Sequence, residues 1–239
     1  MADSHPALRL GIVGCGNVLS AYLSLAARLR GQRLAEIVAF CGREHQRTST
    51  LAHWPGAAFV TDYAALLARE DVEAIVVLTP MRERGPMALQ ALRAGKHVLV
   101  EKPMATDLAA AREMVETARR CQRLLVCAPF TQLSPTFQTI GRRLRQGDIG
   151  QVVSARGRYG WAGPDWTDWF YKPGGGALFD LGVYNLTTLT GWLGPVRRVT
   201  ALAGVAIPGG LRKGHGRLGC IGRRRQLRAR AQTHASAPA

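Results

Sequence analysis

Two polar side chains, Asp180 and Tyr184, lie four residues apart in the otherwise apolar stretch GGGALFDLGVYNL at positions 174–186. If this stretch is a helix, both side chains lie on the same helix face. A carboxylate and a phenol placed together can orient a hydroxyl group and transfer a proton. The alternative is a solvent-facing pair on an amphipathic helix, so the functional interpretation depends on the rest of the chain.

A glycine-containing turn, GCGNVL at positions 14–19, follows a short apolar run and precedes a segment with helical periodicity. It fits the dinucleotide-binding fingerprint, except that Leu19 stands where a third glycine is usual. Gly14 permits a tight turn, and Gly16 lets the backbone approach a pyrophosphate at the helix N-terminus. The alternative is a purely structural turn. The residues expected to contact the dinucleotide here are Gly14, Gly16, Asn17 and Val18.

The second apolar run, AEIVAFC at 35–41, has no acidic residue at its end. An acid at that position would bind the ribose 2′-hydroxyl of NAD. Arg43, together with Arg47, suits a 2′-phosphate instead, because a guanidinium binds phosphate with two hydrogen bonds. We therefore expect an NAD(P) cofactor and favour NADP over NAD; a solvated loop arginine is the alternative.

Two later apolar runs, AIVVL at 74–78 and HVLV at 97–100, are followed by Thr79-Pro80 and Glu101-Lys102-Pro103. Open α/β sheets bind ligands at the carboxyl ends of their strands. We therefore expect four more residues at the cofactor site, namely Thr79, Pro80, Glu101 and Lys102.

Strands that are apolar throughout alternate with helices up to residue 128, which predicts an α/β fold with a doubly wound parallel Rossmann sheet. After residue 128 the pattern predicts an α+β region, with a helix at 134–145, a half-exposed strand at 152–160, a helix ending near Leu193 and a strand at 196–205. The loop between the predicted strand at 152–160 and the helix ending near Leu193 contains Trp161, Trp166 and Trp169. These side chains either cover a sugar-like substrate or pack against the sheet.

The motifs GIVGCGN, AIVVLTP, ALRAGKHVLVEKP, DIGQVVSAR and GGGALFDLGVYNLTTLTGWLGP together resemble the glucose–fructose oxidoreductase/inositol dehydrogenase (Gfo/Idh/MocA) family from about residue 8 to residue 205. The resemblance implies a Rossmann domain followed by a substrate domain of mostly antiparallel sheet, and oxidation or reduction of a sugar, polyol or related diol. It further implies a homo-oligomer. Met81 and Arg84 stand where the family usually has Asn and His.

The resemblance makes Lys102, Asp180 and Tyr184 the catalytic set, with Tyr in place of His as in the sugar and dihydrodiol dehydrogenase branch. A phenol has an ordinary pKa near ~10 and is a weak base at neutral pH. A neighbouring ammonium favours the phenolate. Lys102 is therefore expected to assist Tyr184, and Asp180 to orient a hydroxyl group.

The resemblance and the composition divide the chain into a dinucleotide-binding domain at 1–128, a partial substrate domain at 129–208 and a basic tail at 209–239. The net charge of +16 is concentrated late, because all sixteen acidic residues lie at or before Asp180. The tail composition predicts disorder. We weigh two origins for the tail, a nucleic-acid-binding arm and a shift of reading frame near 208–210, and favour the second.

Several classes of protein are disfavoured by composition. Five cysteines with no metal-ligand spacing predict free thiols in a reducing, cytoplasmic compartment and no metal site. No apolar run reaches the roughly 20 residues that span a bilayer, so we expect no membrane association. Two alternatives to a working oxidoreductase remain: a nucleotide-binding chain impaired in turnover, and a nucleic-acid binder acting through the basic tail.

Overall fold

The computed structural model describes residues 6–160, 163–164, 169–171, 175–204 and 226–232, and the chain divides into two compact units, Met1–Ala128 and Pro129–Ala239. The strands of the first unit are β1 (Leu8–Val13), β2 (Ala35–Cys41), β3 (Ala58–Val60), β4 (Ala74–Val77), β5 (His97–Val100) and β6 (Leu125–Cys127). Its helices are α1 (Leu19–Gly31), α2 (Arg47–His53), α3 (Tyr63–Leu67), α4 (Met81–Arg93) and α5 (Leu108–Arg120).

The six strands form one parallel sheet in the order β3-β2-β1-β4-β5-β6. The strand order reverses between β1 and β4, and open α/β sheets bind ligands at such a switch point. The predicted α/β fold class, with its doubly wound Rossmann sheet, is confirmed.

Both faces of this sheet are packed, which explains why its strands are apolar at nearly every position. One core lies on the α4 and α5 side and includes Val77, Leu92 and Met114. The other includes Phe40 and Trp54. The indole N–H of Trp54 donates to the Ile37 carbonyl over 3.0 Å, so its one polar group is satisfied inside the core.

Helix α4 begins at Met81, directly after Pro80. Pro80 takes the N-cap position, and the chain turns into the helix as soon as β4 ends. Gly95 follows the end of α4 with a φ of +76° and lets the chain reverse into β5. The loop between β4 and α4 is therefore very short, which keeps Thr79 next to the sheet.

The second unit contains α6 (Pro135–Gln146), a π-helical turn (Leu178–Gly182), α7 (Val183–Leu193) and the antiparallel strands β7 (Arg198–Gly204) and β8 (Gln226–Gln232). Helices α6 and α7 pack through aromatic rings, with Phe137 and Trp192 stacked at 4.9 Å between centroids. Gly191 makes this approach possible, because a Cβ there would lie 2.8 Å from the Phe137 ring.

Three sequence expectations for the second unit differ from the structure or fall outside it. Residues 152–160 form no regular strand and pair with no described strand. Residues 226–232, in the stretch whose composition predicts disorder, form β8, because QLRARAQ alternates polar and small or apolar residues and its backbone pairs with β7. Trp161, Trp166 and the Trp169 side chain lie outside the described residues.

No helix within the described residues has the length and apolar character needed to cross a bilayer.

Core burial in the first unit gives a direct stability test with a matched control. Leu92 of α4 is fully buried, whereas Leu34 is 58% exposed. Leu92→Ala should lower the free energy of unfolding by about 2–5 kcal/mol, because it removes buried methyl groups and leaves a cavity. Leu34→Ala should change it by less than about 0.5 kcal/mol. Urea unfolding followed by circular dichroism measures both, and equal losses would contradict this assignment of the core.

Candidate active site

The turn after β1 is pressed against the end of β4. Gly14 has a φ of +101°, and a Cβ on it would lie 2.8 Å from the Leu78 carbonyl carbon. Its N–H donates to the Cys41 carbonyl over 3.0 Å, which also ties the turn to the end of β2. Only glycine fits this conformation and this contact. In contrast, a Cβ on Gly16 would meet nothing within 4 Å, so its backbone faces open space.

The start of α1 has the features of an anion site. Val18 at the N-cap makes no side-chain hydrogen bond to the helix, and the first turn contains no acidic residue. The first N–H groups of a helix carry partial positive charge and favour phosphate. Nearby Thr79 is only 6% exposed, and its buried hydroxyl has no hydrogen-bond partner among the described residues. These groups fit a dinucleotide.

The Glu101 carboxylate organises the end of β5. Tyr22 of α1 donates its phenol O–H to one oxygen over 2.8 Å, and the Lys102 N–H donates to the other over 2.8 Å. Burial, reinforced by the Glu101 charge, raises the pKa of the Tyr22 phenol, which keeps it a donor. Burial also raises the pKa of the Cys127 thiol to about 11, so this neighbour is not a thiolate at neutral pH.

Arg84 links the ends of β4 and β5. Its Nε donates to the Thr79 carbonyl over 2.8 Å, and Nη1 donates to the Lys102 carbonyl. Met81, the other departure from the family pattern, is buried at the start of α4. The arginine therefore holds together the two backbone segments that carry Thr79-Pro80 and Lys102-Pro103.

The loop after β2 separates the two arginines that the sequence proposes for a phosphate. Arg47 binds Glu44 through two hydrogen bonds of 2.7 and 2.9 Å, and it also donates to the Phe59 carbonyl over 3.0 Å. Its hydrogen bonds hold the pKa of the Glu44 carboxyl below the usual range. Arg43 is exposed, and its guanidinium has no ion pair or hydrogen bond among the described residues.

Asp180 and Tyr184 lie in the second unit. Asp180 is in the π-helical turn, where its N–H donates to the Gly176 carbonyl over 3.0 Å, and Tyr184 is in the first turn of α7. The pair therefore spans a junction of two helix types, not a continuous α-helix. The Tyr184 ring stacks on Tyr159 with centroids 6.4 Å apart and planes at 19°. π-Helical turns are rare in proteins, and those that occur are often found at functional sites.

The structure thus gathers the predicted cofactor residues of the first unit at one edge of the sheet, called here the carboxyl edge (residues 14–18, 43, 79–80 and 101–102). Two residues that sequence reasoning missed, Tyr22 and Gln46, supply hydrogen bonds to this edge. Neither belongs to a motif, so no sequence signal marks them.

No cluster of three or more metal-ligating side chains occurs in the described part of the chain.

A six-stranded parallel sheet of this order, with a glycine turn at its switch point, defines a dinucleotide-binding Rossmann domain. Residues 8–128 match the model of an oxidoreductase family with an NAD-binding Rossmann fold, and residues 137–236 match the GFO/IDH/MocA C-terminal domain. The chain belongs to the Gfo/Idh/MocA oxidoreductase family.

Three known proteins illustrate the similarity. A dTDP-3,4-didehydro-2,6-dideoxy-alpha-D-glucose 3-reductase from Actinomadura kijaniata is 33% identical over 81% of this chain and 58% of its own length. A trans-1,2-dihydrobenzene-1,2-diol dehydrogenase from Mus musculus is 33% identical over 77% of this chain and 56% of its own. The crystal structure of a 3-ketoreductase from A. kijaniata with NADP superposes with a TM-score of 0.67 and 29% identity, covering 82% of this chain and 59% of that one. The chain thus spans less than two thirds of the length of each of these relatives.

The two glycines of the turn should respond differently to a methyl group. Gly14→Ala should lower the free energy of unfolding by at least about 1–3 kcal/mol, because the residue is strained and its Cβ meets backbone. Gly16→Ala should change stability by less than about 0.5 kcal/mol but weaken dinucleotide binding about tenfold. Thermal unfolding and nicotinamide fluorescence titration measure these effects. Unchanged binding in Gly16→Ala would contradict the assignment of this backbone to the pyrophosphate.

Proposed function

We propose that the protein is an NAD(P)-dependent oxidoreductase acting on a CH–OH group of a sugar, polyol or related diol. The observation that carries this proposal is the carboxyl edge, where the open backbone of Gly16 lies near the Thr79 hydroxyl at the start of α1. Within the described part of the chain this buried hydroxyl has no hydrogen-bond partner. The names of the similar proteins, a sugar-nucleotide reductase and a dihydrodiol dehydrogenase, support the substrate class. In this proposal residues 1–128 bind the dinucleotide and residues 129–208 contribute to substrate binding.

The proposed chemistry assigns one role to each catalytic residue. Oxidation of a secondary alcohol removes a hydride from carbon and a proton from oxygen, and bound nicotinamide supplies the hydride acceptor. Tyr184 exchanges the proton with the substrate oxygen. The Lys102 ammonium donates a hydrogen bond to that oxygen. Asp180 orients a substrate hydroxyl. The Lys102 N–H donates to the Glu101 carboxylate, and the Lys102 carbonyl accepts from Arg84. These two bonds support the role of Lys102, because they fix the base of its side chain.

The loop after β2 supports a preference for NADP. Both oxygens of the Glu44 carboxylate accept hydrogen bonds from Arg47, so the acid nearest the end of β2 is already engaged. Arg43 presents an exposed guanidinium in the same loop. This arrangement favours a 2′-phosphate over a 2′-hydroxyl, because a free guanidinium binds phosphate strongly whereas a paired carboxylate is a poor partner for a hydroxyl.

A second candidate function is nucleotide binding with impaired turnover. The second unit leaves large apolar side chains exposed, with Val199 at 63% and Leu202 at 74%, and α7 has no fully buried residue. Exposed apolar surface of this kind fits a partner or a second copy of the chain, so we propose homo-oligomerisation as a means of covering it.

The four cysteines within the described residues are free, which supports a reducing, cytoplasmic compartment.

The catalytic assignment predicts a difference between two neighbouring tyrosines. Tyr184→Phe should lower turnover of a responsive sugar or diol at least about 100-fold, because the proton-transferring group is lost. The ring of Tyr159 stacks on that of Tyr184, and Tyr159→Phe keeps this ring, so it should retain most of the activity. Steady-state rates with NADPH and NADP, with nucleotide binding measured in parallel, test this. Full activity of Tyr184→Phe would contradict the assignment, and binding without turnover in the unsubstituted chain would favour the second candidate.

The cofactor preference gives a separate prediction. The unsubstituted chain should bind NADPH more tightly than NADH. Arg43→Ala should weaken NADPH about tenfold or more while leaving NADH within about twofold, since only the 2′-phosphate interaction is lost. Arg33→Ala, a surface arginine after α1, is the matched control. Fluorescence titration measures all six dissociation constants, and a clear NADH preference of the unsubstituted chain would contradict the role of Arg43.

A further inference from the structure

Gln46 lies half-buried between two parts of the carboxyl edge. Its side-chain Nε2 donates to the Cys15 carbonyl in the glycine turn over 2.7 Å. Its Oε1 accepts the Arg43 N–H over 2.9 Å, and its own backbone N–H donates to the Arg43 carbonyl over 2.9 Å. Gln46 therefore holds the backbone of Arg43 on both sides and ties it to the turn.

The space around this bridge is closely filled. A Cβ on Gly42 would lie 2.9 Å from the Cys15 sulfur and 3.0 Å from the Gln46 Oε1. The Gly42 N–H donates to the Val60 carbonyl over 3.2 Å, so the backbone before Arg43 is also fixed. The absence of a side chain at Gly42 therefore lets the Gln46 amide and the Cys15 side chain lie against this backbone.

We propose that Gln46 is a positioning residue for cofactor specificity, which couples the pyrophosphate-binding turn at Gly14–Asn17 to the Arg43 loop that meets a 2′-phosphate. This inference rests on the proposed function. The bridge holds Arg43 at a fixed position relative to the turn before the nucleotide arrives. A preorganised site loses less conformational freedom on binding, so the bridge strengthens NADP binding without contacting the 2′-phosphate.

The chemistry of the bridge requires an amide. The Cys15 carbonyl needs a donor, and the Arg43 N–H needs an acceptor. A carboxylate of the same shape satisfies only the second and places negative charge beside the carbonyl. Gln46→Glu therefore breaks the link to the turn while it keeps the link to Arg43. The Arg47–Glu44 pair stays intact in Gln46→Glu and in Gln46→Ala, because it does not involve Gln46.

The test is a double-mutant cycle on nucleotide affinity in the full chain. NADPH and NADH are titrated by fluorescence into the unsubstituted chain, Gln46→Ala, Gln46→Glu, Arg43→Ala and the double variant Gln46→Ala/Arg43→Ala. Gln46→Ala and Gln46→Glu should weaken NADPH about tenfold but NADH less than about threefold. In the Arg43→Ala background, Gln46→Ala should weaken both nucleotides equally, because the residue it positions is gone.

Two results would overturn the inference. If the Gln46 variants weaken NADPH and NADH by the same factor while Arg43 is present, Gln46 only supports the turn. If the effects of Gln46→Ala and Arg43→Ala on NADPH simply add, the two residues are not coupled. Gln90→Ala, an exposed glutamine on α4, controls for general effects, and melting temperatures identify any variant that unfolds. Failure of the unsubstituted chain to bind either nucleotide overturns the proposed function itself, whereas normal binding with equal losses overturns only this inference.

Discussion

The close approach of the β1–α1 turn to the end of β4 is the contact on which the nucleotide-binding edge depends. The Leu78 N–H donates to the Val13 carbonyl over 2.8 Å, and Gly14 then passes so near Leu78 that a side chain on it would meet backbone. This contact places the start of α1 beside Thr79 at the point where the strand order reverses. The partial positive charge of the helix end therefore faces the position where a pyrophosphate binds in Rossmann domains.

Long polar side chains hold the rest of this edge in place. Backbone groups that continue past the end of a parallel strand lose their sheet partners and need others. Here Arg84 donates to the carbonyls of Thr79 and Lys102, and Gln46 bridges the glycine turn and the Arg43 loop. The segments that follow β1, β2, β4 and β5 are thus cross-linked without metal chemistry or disulfides among these residues. This satisfies the carbonyl groups and limits the motion of the loops that bear the proposed cofactor residues.

The sequence predicts the first unit well and the second only in part, for physical reasons. Runs such as AIVVL at 74–78 are buried on both faces, so hydrophobicity alone marks them as strands. Gly95 marks the end of α4, because glycine readily adopts the positive φ that ends a helix. Hydrogen bonds from Tyr22 and Gln46 join segments that are distant in the chain or lack a motif, and no local pattern encodes them. Strand formation likewise depends on a partner: residues 152–160 alternate but pair with no described strand, whereas 226–232 pair with β7.

In the proposed function, the carboxyl edge binds a nicotinamide dinucleotide with its pyrophosphate at the start of α1 and its nicotinamide half near Lys102. A crystal structure of the full chain with NADPH tests it most directly. We expect pyrophosphate oxygens within hydrogen-bond distance of backbone N–H groups at 16–18, the Thr79 hydroxyl bonded to the nucleotide, and the 2′-phosphate at Arg43. A dinucleotide bound elsewhere, or one whose pyrophosphate lies away from the glycine turn, would contradict it.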